Sequence, residues 1–318
     1  MLPHVSTTAF DLLILGDCNP DLILTGDQAE PEFGQVERLV DSAELTIGGS
    51  GCIAACGAAR LGLRTALIGV VGDDVFGRFM IESLTERGVD AGGVVVDKTA
   101  RTGVTVILDR GLDRAILTFP GTIAALTGEA VDRHLLASAR HVHVPSFFLQ
   151  TALAPALPEV FTRAHEEGAS TSIDPNWDPK EQWNGRLGSV LPYTDVFLPN
   201  GAEAMRIAQK PDPASAARKL SAAGPLVGIK LGADGALGTG ADGELIEVRA
   251  LPNIQPVDTV GAGDSFDAGV LAGLLSGWST EQALALGCAC GGLSTLALGG
   301  TAAQPTLAEA RSALGHDL

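Results

Sequence analysis

Three parts of a phosphoryl-transfer site follow one another in Val257-Asp258-Thr259-Val260-Gly261-Ala262-Gly263-Asp264-Ser265-Phe266. Gly261-Ala262-Gly263 is a turn whose backbone N–H groups can converge on a phosphate. It opens onto Phe266, Val270, Leu271, Leu274 and Leu275, apolar residues at helical spacing. A helix N-terminus carries unpaired N–H groups and a partial positive charge, so it attracts anions. Asp264 stands at that junction, placed to accept a proton from an attacking hydroxyl. The run also reads as an ordinary strand–turn–helix connection with Asp264 as an N-cap, and the motif alone does not separate the two.

For such groups to meet, a scaffold must bring distant loops together. The apolar run at 11–15 and the stretch 66–71 read as buried strands, and 141–144, 170–174, 196–199 and 226–231 are further strand candidates. Between them, 52–61, 76–87, 152–167 and 213–223 have helical periodicity. This alternation predicts an α/β fold with a doubly wound, mainly parallel sheet. Segments at about 22–47 and 93–120 are more polar or alternate like antiparallel strands, and read as a small inserted β layer. Ligands of open parallel sheets bind beyond the C-terminal strand ends. The polar residues expected there are Asn19, Asp21, Asp174, Asn176, Asn200, Glu203, Lys230 and Asp258. Asp and Asn also favour such loops as plain turn formers.

Composition narrows the partners. The 318 residues suit one large domain or about two, and no internal repeat or long linker divides them. A net charge of −17 opposes binding to nucleic acid or to an anionic membrane surface, while local backbone dipoles can still hold a nucleotide. Cys18, Cys52, Cys56, Cys288 and Cys290 are odd in number and match no zinc spacing, which points to small buried thiols in a reducing compartment. Residues 1–10 lack the basic and apolar regions of a signal peptide, so a cytoplasmic setting is expected. Residues 282–306 carry no charge but are rich in Ala, Gly, Ser and Thr, which predicts a packed internal helix rather than a membrane span.

With these motifs in view, the chain resembles the ribokinase-like (PfkB) sugar kinases. Asp258 to Asp264 resembles their C-terminal signature, and Gly48-Gly49 before a small-residue helix their N-terminal one. Val71 to Gly77, Asp174-Pro175-Asn176, Asn200-Gly201-Ala202-Glu203 and Leu231 to Gly235 stand between them in family order. The resemblance spans roughly 11–305 and implies one ribokinase-like domain over 1–318 that phosphorylates a sugar or polyol hydroxyl with ATP and Mg2+. It implies that Asp264 is the general base and that Gly261, Ala262 and Gly263 form the anion hole. Asn200, Lys230, Gly232, Gly235 and Thr259 would serve the nucleotide, and Glu203 the metal–phosphate network. Asn19, Asp21, Gly49, Ser50, Ile53 and Gln150 would line the sugar pocket. Asp258 and Val260 match a K+ site found in some members, and the inserted layer matches a lid that in some members forms a homodimer interface.

The chain departs from the pattern in three places. The Asn that ends Gly-Gly-x-x-x-Asn is Ile53, the Arg common two positions after Asn176 is Asp178, and Gln150 stands where several sugar kinases have a carboxylate. These changes bear on substrate. Arg101, Arg110 and Arg114 could meet a sugar phosphate, but read more simply as lid charges, which favours a neutral sugar or polyol. A nucleoside kinase of the same fold is disfavoured by the 4% aromatic content, since nucleoside pockets stack bases on aromatic rings. A non-catalytic sugar-binding regulator would explain Ile53, but not an intact Asp264. A dinucleotide fingerprint at Gly261 fails because the third glycine is missing.

Overall fold

The structure, a computed structural model, describes residues 8–27, 29–110, 114–183, 186–240 and 243–315. In chain order its strands are β1 (Leu12–Leu15), β2 (Asn19–Thr25), β3 (Ser42–Gly48), β4 (Thr65–Ile68), β5 (Val70–Gly72), β6 (Val89–Asp90), β7 (Val95–Asp97) and β8 (Val104–Asp109). They continue with β9 (Arg114–Phe119), β10 (His141–Val144), β11 (Ser170–Ile173), β12 (Val196–Phe197), β13 (Leu226–Lys230), β14 (Ala236–Thr239) and β15 (Leu245–Val248).

The main sheet has the order β15-β14-β13-β12-β11-β10-β1-β4-β6. It is parallel from β6 to β13, and β14 and β15 close one edge as antiparallel strands. A sheet covered on both faces must be apolar on both, and alternate residues of β1 divide accordingly. Leu13 and Leu15 pack with Val142, Val144, Phe161 and Phe197 under the helices Leu157–Glu166, Gly201–Ala208 and Pro213–Ser221. Leu12 and Ile14 face the helices Ser50–Arg60, Ala262–Leu275 and Thr280–Ser294. The uncharged stretch beginning at Gln282 is thus an internal helix, its small residues packed closely against the helix Ala262–Leu275. No helix among the described residues is long and apolar enough to cross a membrane. All five cysteines are buried and free.

A second sheet, β3-β2-β8-β9, stands apart from the first. Its outer pairs are antiparallel, whereas its central pair β2–β8 is parallel, because the long excursion from β3 to β8 re-enters the layer in the same direction as β2. Two expectations need correction. The run 66–71 is not one strand: it breaks at Gly69 into β4 and β5. Val95 does not join the inserted layer, because its N–H donates to Gly69 O at 2.9 Å and β7 pairs with β5 in a separate ribbon.

Candidate active site

The parallel strands bring their C-terminal ends to one rim, so residues far apart in sequence meet there. Asp17 follows β1, Ser146 follows β10, Asp174 follows β11, Asn200 follows β12, and Lys230 ends β13. The Gly261 turn closes over this rim. Gly261 has φ 70°, and a Cβ there would lie 2.8 Å from Ile53 Cγ2 and 2.9 Å from Gly300 Cα, so only glycine fits both backbone and space. Ser265 N–H donates to Gly261 O at 2.9 Å, so the helix begins at once. The N–H groups of Gly263 and Asp264, in its first turn, have no acceptor within the helix.

Asp264 is only 8% exposed, and the neighbouring Ser50 hydroxyl favours its charged form. Burial, reinforced by the Asp174 charge and relieved in part by Lys230, pushes its pKa up to about 8. Carboxylate oxygens of Asp174, Asp264 and Asp267 lie within 4.8 Å of one another, a set of hard oxygen donors suited to a divalent cation. Lys230 Nζ balances part of that charge, 2.8 Å from Asp174 Oδ2 and 3.0 and 3.2 Å from the two oxygens of Asp267. Burial pushes Asp174 up, but the Lys230 charge together with hydrogen bonds from Asp267, Lys230 and the Asn176 N–H holds the carboxyl below its usual range. Burial raises the fully enclosed Asp267, and Asp174 and Asp267 hold the Lys230 ammonium charged despite its own burial.

A second wall comes from β2 and the start of the helix Ser50–Arg60. Asp17 accepts the N–H groups of Ser50 and Gly51, each at 3.0 Å, and so anchors that helix N-terminus. Asn19, Asp21 and Gln150 are all buried. Gln150 Nε2 donates to Ile123 O at 3.2 Å, while Gln150 Oε1 and Asn19 Oδ1 have no protein partner among the described residues. Burial and the Asp17 charge push Asp21 up to about 7, and the Thr105 hydroxyl across the β2–β8 ladder opposes them. Gly48 and Gly49 run directly against these side chains: a Cβ on Gly48 would lie 2.1 Å from Asp21 Oδ1, and one on Gly49 2.8 Å from Asn19 Oδ1.

Asn200 and Glu203 lock each other in a capping box. Glu203 N–H donates to Asn200 Oδ1 at 2.9 Å, while Asn200 N–H and Nδ2 donate to the two Glu203 oxygens at 2.8 and 2.6 Å. Burial and Asp174 push Glu203 up to about 7. Gly232 borders open space, whereas Gly235 lies tight against Val248 O as a hairpin residue. Thr259 is exposed beside the Gly261 turn.

Several expected site residues do something other than the sequence suggests. Ile53 is corrected most clearly: its methyl groups fill the space left by Gly261 and Gly300, so it supports the turn from behind. Lys230 is spent on two carboxylates rather than free for a nucleotide. Asp178, in place of an arginine, accepts the N–H groups of Lys180, Gln182 and Trp183 and shapes its own loop. Arg110 pairs with Glu30, and Arg114 with Asp258. Sequence reasoning missed Asp267 and the anchoring role of Asp17. Asp267 carried a usable signal, standing three residues after Asp264 on one helix face.

The model of the pfkB family carbohydrate kinases matches residues 9–307. An uncharacterized sugar kinase of Archaeoglobus fulgidus is 32% identical over 232 residues, 73% of this chain and 91% of its own length. An ATP-dependent ribose-1-phosphate kinase of Halopiger xanaduensis is 30% identical, covering 89% of this chain and 91% of its own. Among solved structures, a putative ribokinase II from E. coli superposes with a TM-score of 0.85 at 25% identity, over 96% of this chain and 99% of that one.

Proposed function

Since the chain belongs to the pfkB family of carbohydrate kinases, we propose that it transfers the γ-phosphoryl group of ATP to a hydroxyl of a neutral sugar or polyol. The observation that carries this reading is the meeting, at one helix N-terminus, of the buried Asp264 carboxylate with the unpaired N–H groups of Gly263 and Asp264. In the reaction, Asp264 accepts the hydroxyl proton as the new O–P bond forms and the bond to ADP breaks. The N–H groups of Gly263 and Asp264 at the end of the Gly261–Gly263 turn stabilise charge on the transferred group, while the Ala262 N–H donates to Thr259 O at 3.3 Å. A carboxylate whose pKa is raised to about 8 is a far stronger acceptor than an ordinary aspartate.

The ATP-dependent relative supports the choice of donor. Asn200, Gly232 and Thr259 border the side from which the nucleotide would enter. Mg2+ on its phosphates would lie beside Glu203, where it would neutralise developing charge. On the acceptor side, Asn19, Asp21 and Gln150 are buried and rich in acceptor atoms, which suits hydroxyl donors and opposes an anionic sugar phosphate. The β3-β2-β8-β9 sheet is the lid that excludes water during transfer. Its outer strand exposes Ile116, Leu117 and Phe119, an apolar strip that suits a homodimer contact.

The test is ADP release from MgATP across a panel of sugars, polyols, sugar phosphates and nucleosides, with Asp264→Asn as control. Turnover of a sugar or polyol that the variant abolishes supports the reading. Turnover confined to nucleosides or sugar phosphates refutes the substrate class. Confirmed ATP binding without turnover of any panel member favours a sugar-binding regulator.

A further inference from the structure

The resemblance to PfkB kinases carries the expectation of a monovalent cation beside Asp258 and Val260, and the residues there do not fit one. Asp258 Oδ1 accepts the Val260 N–H at 3.0 Å and Arg114 Nη1 at 3.0 Å, and its Oδ2 accepts the Gly299 N–H at 2.9 Å. Arg114 opens β9, and its other terminal nitrogen lies 3.4 Å from Thr259 Oγ1. The carboxylate is almost enclosed, and the charge it would offer a potassium ion is already met by a guanidinium of the same chain. An ion ligated by this carboxylate would face that guanidinium across a short gap and be repelled by it.

We propose that Arg114 is the built-in cation of this site, compensating Asp258 in place of K+, so that the protein works without a monovalent cation. The consequence reaches the turn. Asp258 ties Val260 to Gly299, and the adjoining Gly300 is the residue against which Gly261 closes. Compensating Asp258 therefore holds the geometry of the Gly261–Gly263 N–H groups. Because Arg114 belongs to the four-stranded sheet, that compensation is present when β9 lies against the turn and is lost when β9 moves away.

The activity arm of the test rests on the kinase reading, whereas the melting arm does not. Wild-type protein and Arg114→Met are compared in KCl and in tetramethylammonium chloride at equal ionic strength. Wild type should show the same Tm and the same turnover in both salts. Arg114→Met should melt lower in tetramethylammonium chloride and turn over about tenfold more slowly, with KCl restoring part of both. The proposal is overturned if K+ raises the wild-type Tm or rate, if the variant matches wild type without K+, or if K+ restores nothing. Should no panel substrate be turned over, the kinase reading fails and the melting comparison still decides this one.

Discussion

Replacing Asp264 with asparagine should make the protein more stable while abolishing its turnover. In the folded chain the carboxyl titrates near 8, against 3.8 for an ordinary aspartate. A raised carboxylate pKa means that the folded state holds its proton more tightly than the unfolded state does. Stability is therefore undiminished below about pH 4 and declines as pH rises towards 8. At pH 7 the difference spans about three pH units, so ionisation of the unfolded state costs about 4 kcal/mol, at roughly 1.4 kcal/mol per unit. Asparagine never ionises and escapes that cost, less whatever its amide loses against Ser50. Thermal melting at pH 7 should accordingly rise by several degrees. ADP release on the true substrate should fall by about 10²-fold or more, because the amide cannot take the hydroxyl proton. The wild-type kcat/KM should climb by nearly tenfold per pH unit from about 6 towards 8, following the ionised fraction of Asp264. A variant that melts lower and keeps most of its turnover, or a wild-type profile flat across that range, would refute the assignment of Asp264 as a buried, functional base.

The remaining predictions concern the groups around that base. Lys230→Met strips the shared partner from Asp174 and Asp267 and should destabilise the fold by roughly 3–5 kcal/mol at pH 8, measured by urea denaturation. That deficit should shrink as the pH is lowered and the stranded carboxylates take up protons, and a pH-independent deficit would contradict the ion-pair account. Gly48→Ala drives a methyl group into Asp21 and should raise the KM for the sugar by about tenfold while leaving the KM for MgATP unchanged; steady-state kinetics with each substrate varied checks this. Ile53→Asn should cost roughly 2–4 kcal/mol through lost packing and a buried amide, and should lower kcat without reordering the preferred sugars. A changed sugar ranking at full stability would return Ile53 to the pocket.

Much of the fold was legible in the chain. Buried strands at β1, β4 and β13 showed as apolar stretches, the helix at Ala262 showed as a glycine turn followed by 3.6-residue periodicity, and the alternation of strands and helices implied a parallel sheet. Asp264, Asn200 and Glu203 were visible for the same reason, since caps and anion turns are built from neighbouring residues. What the sequence could not show is how separate elements meet. Ile53 and Asp258 stood out in the sequence, but what they touch depends on Gly300 in one case and on Arg114, 144 positions away, in the other. Lys230 read as a nucleotide contact, whereas β13 and the helix Ala262–Leu275 place it between Asp174 and Asp267. Local periodicity and turn chemistry are written within a few residues. The partner of a buried charge is chosen by whichever distant groups the packed sheet and helices exclude from water together, and that choice is made only in three dimensions.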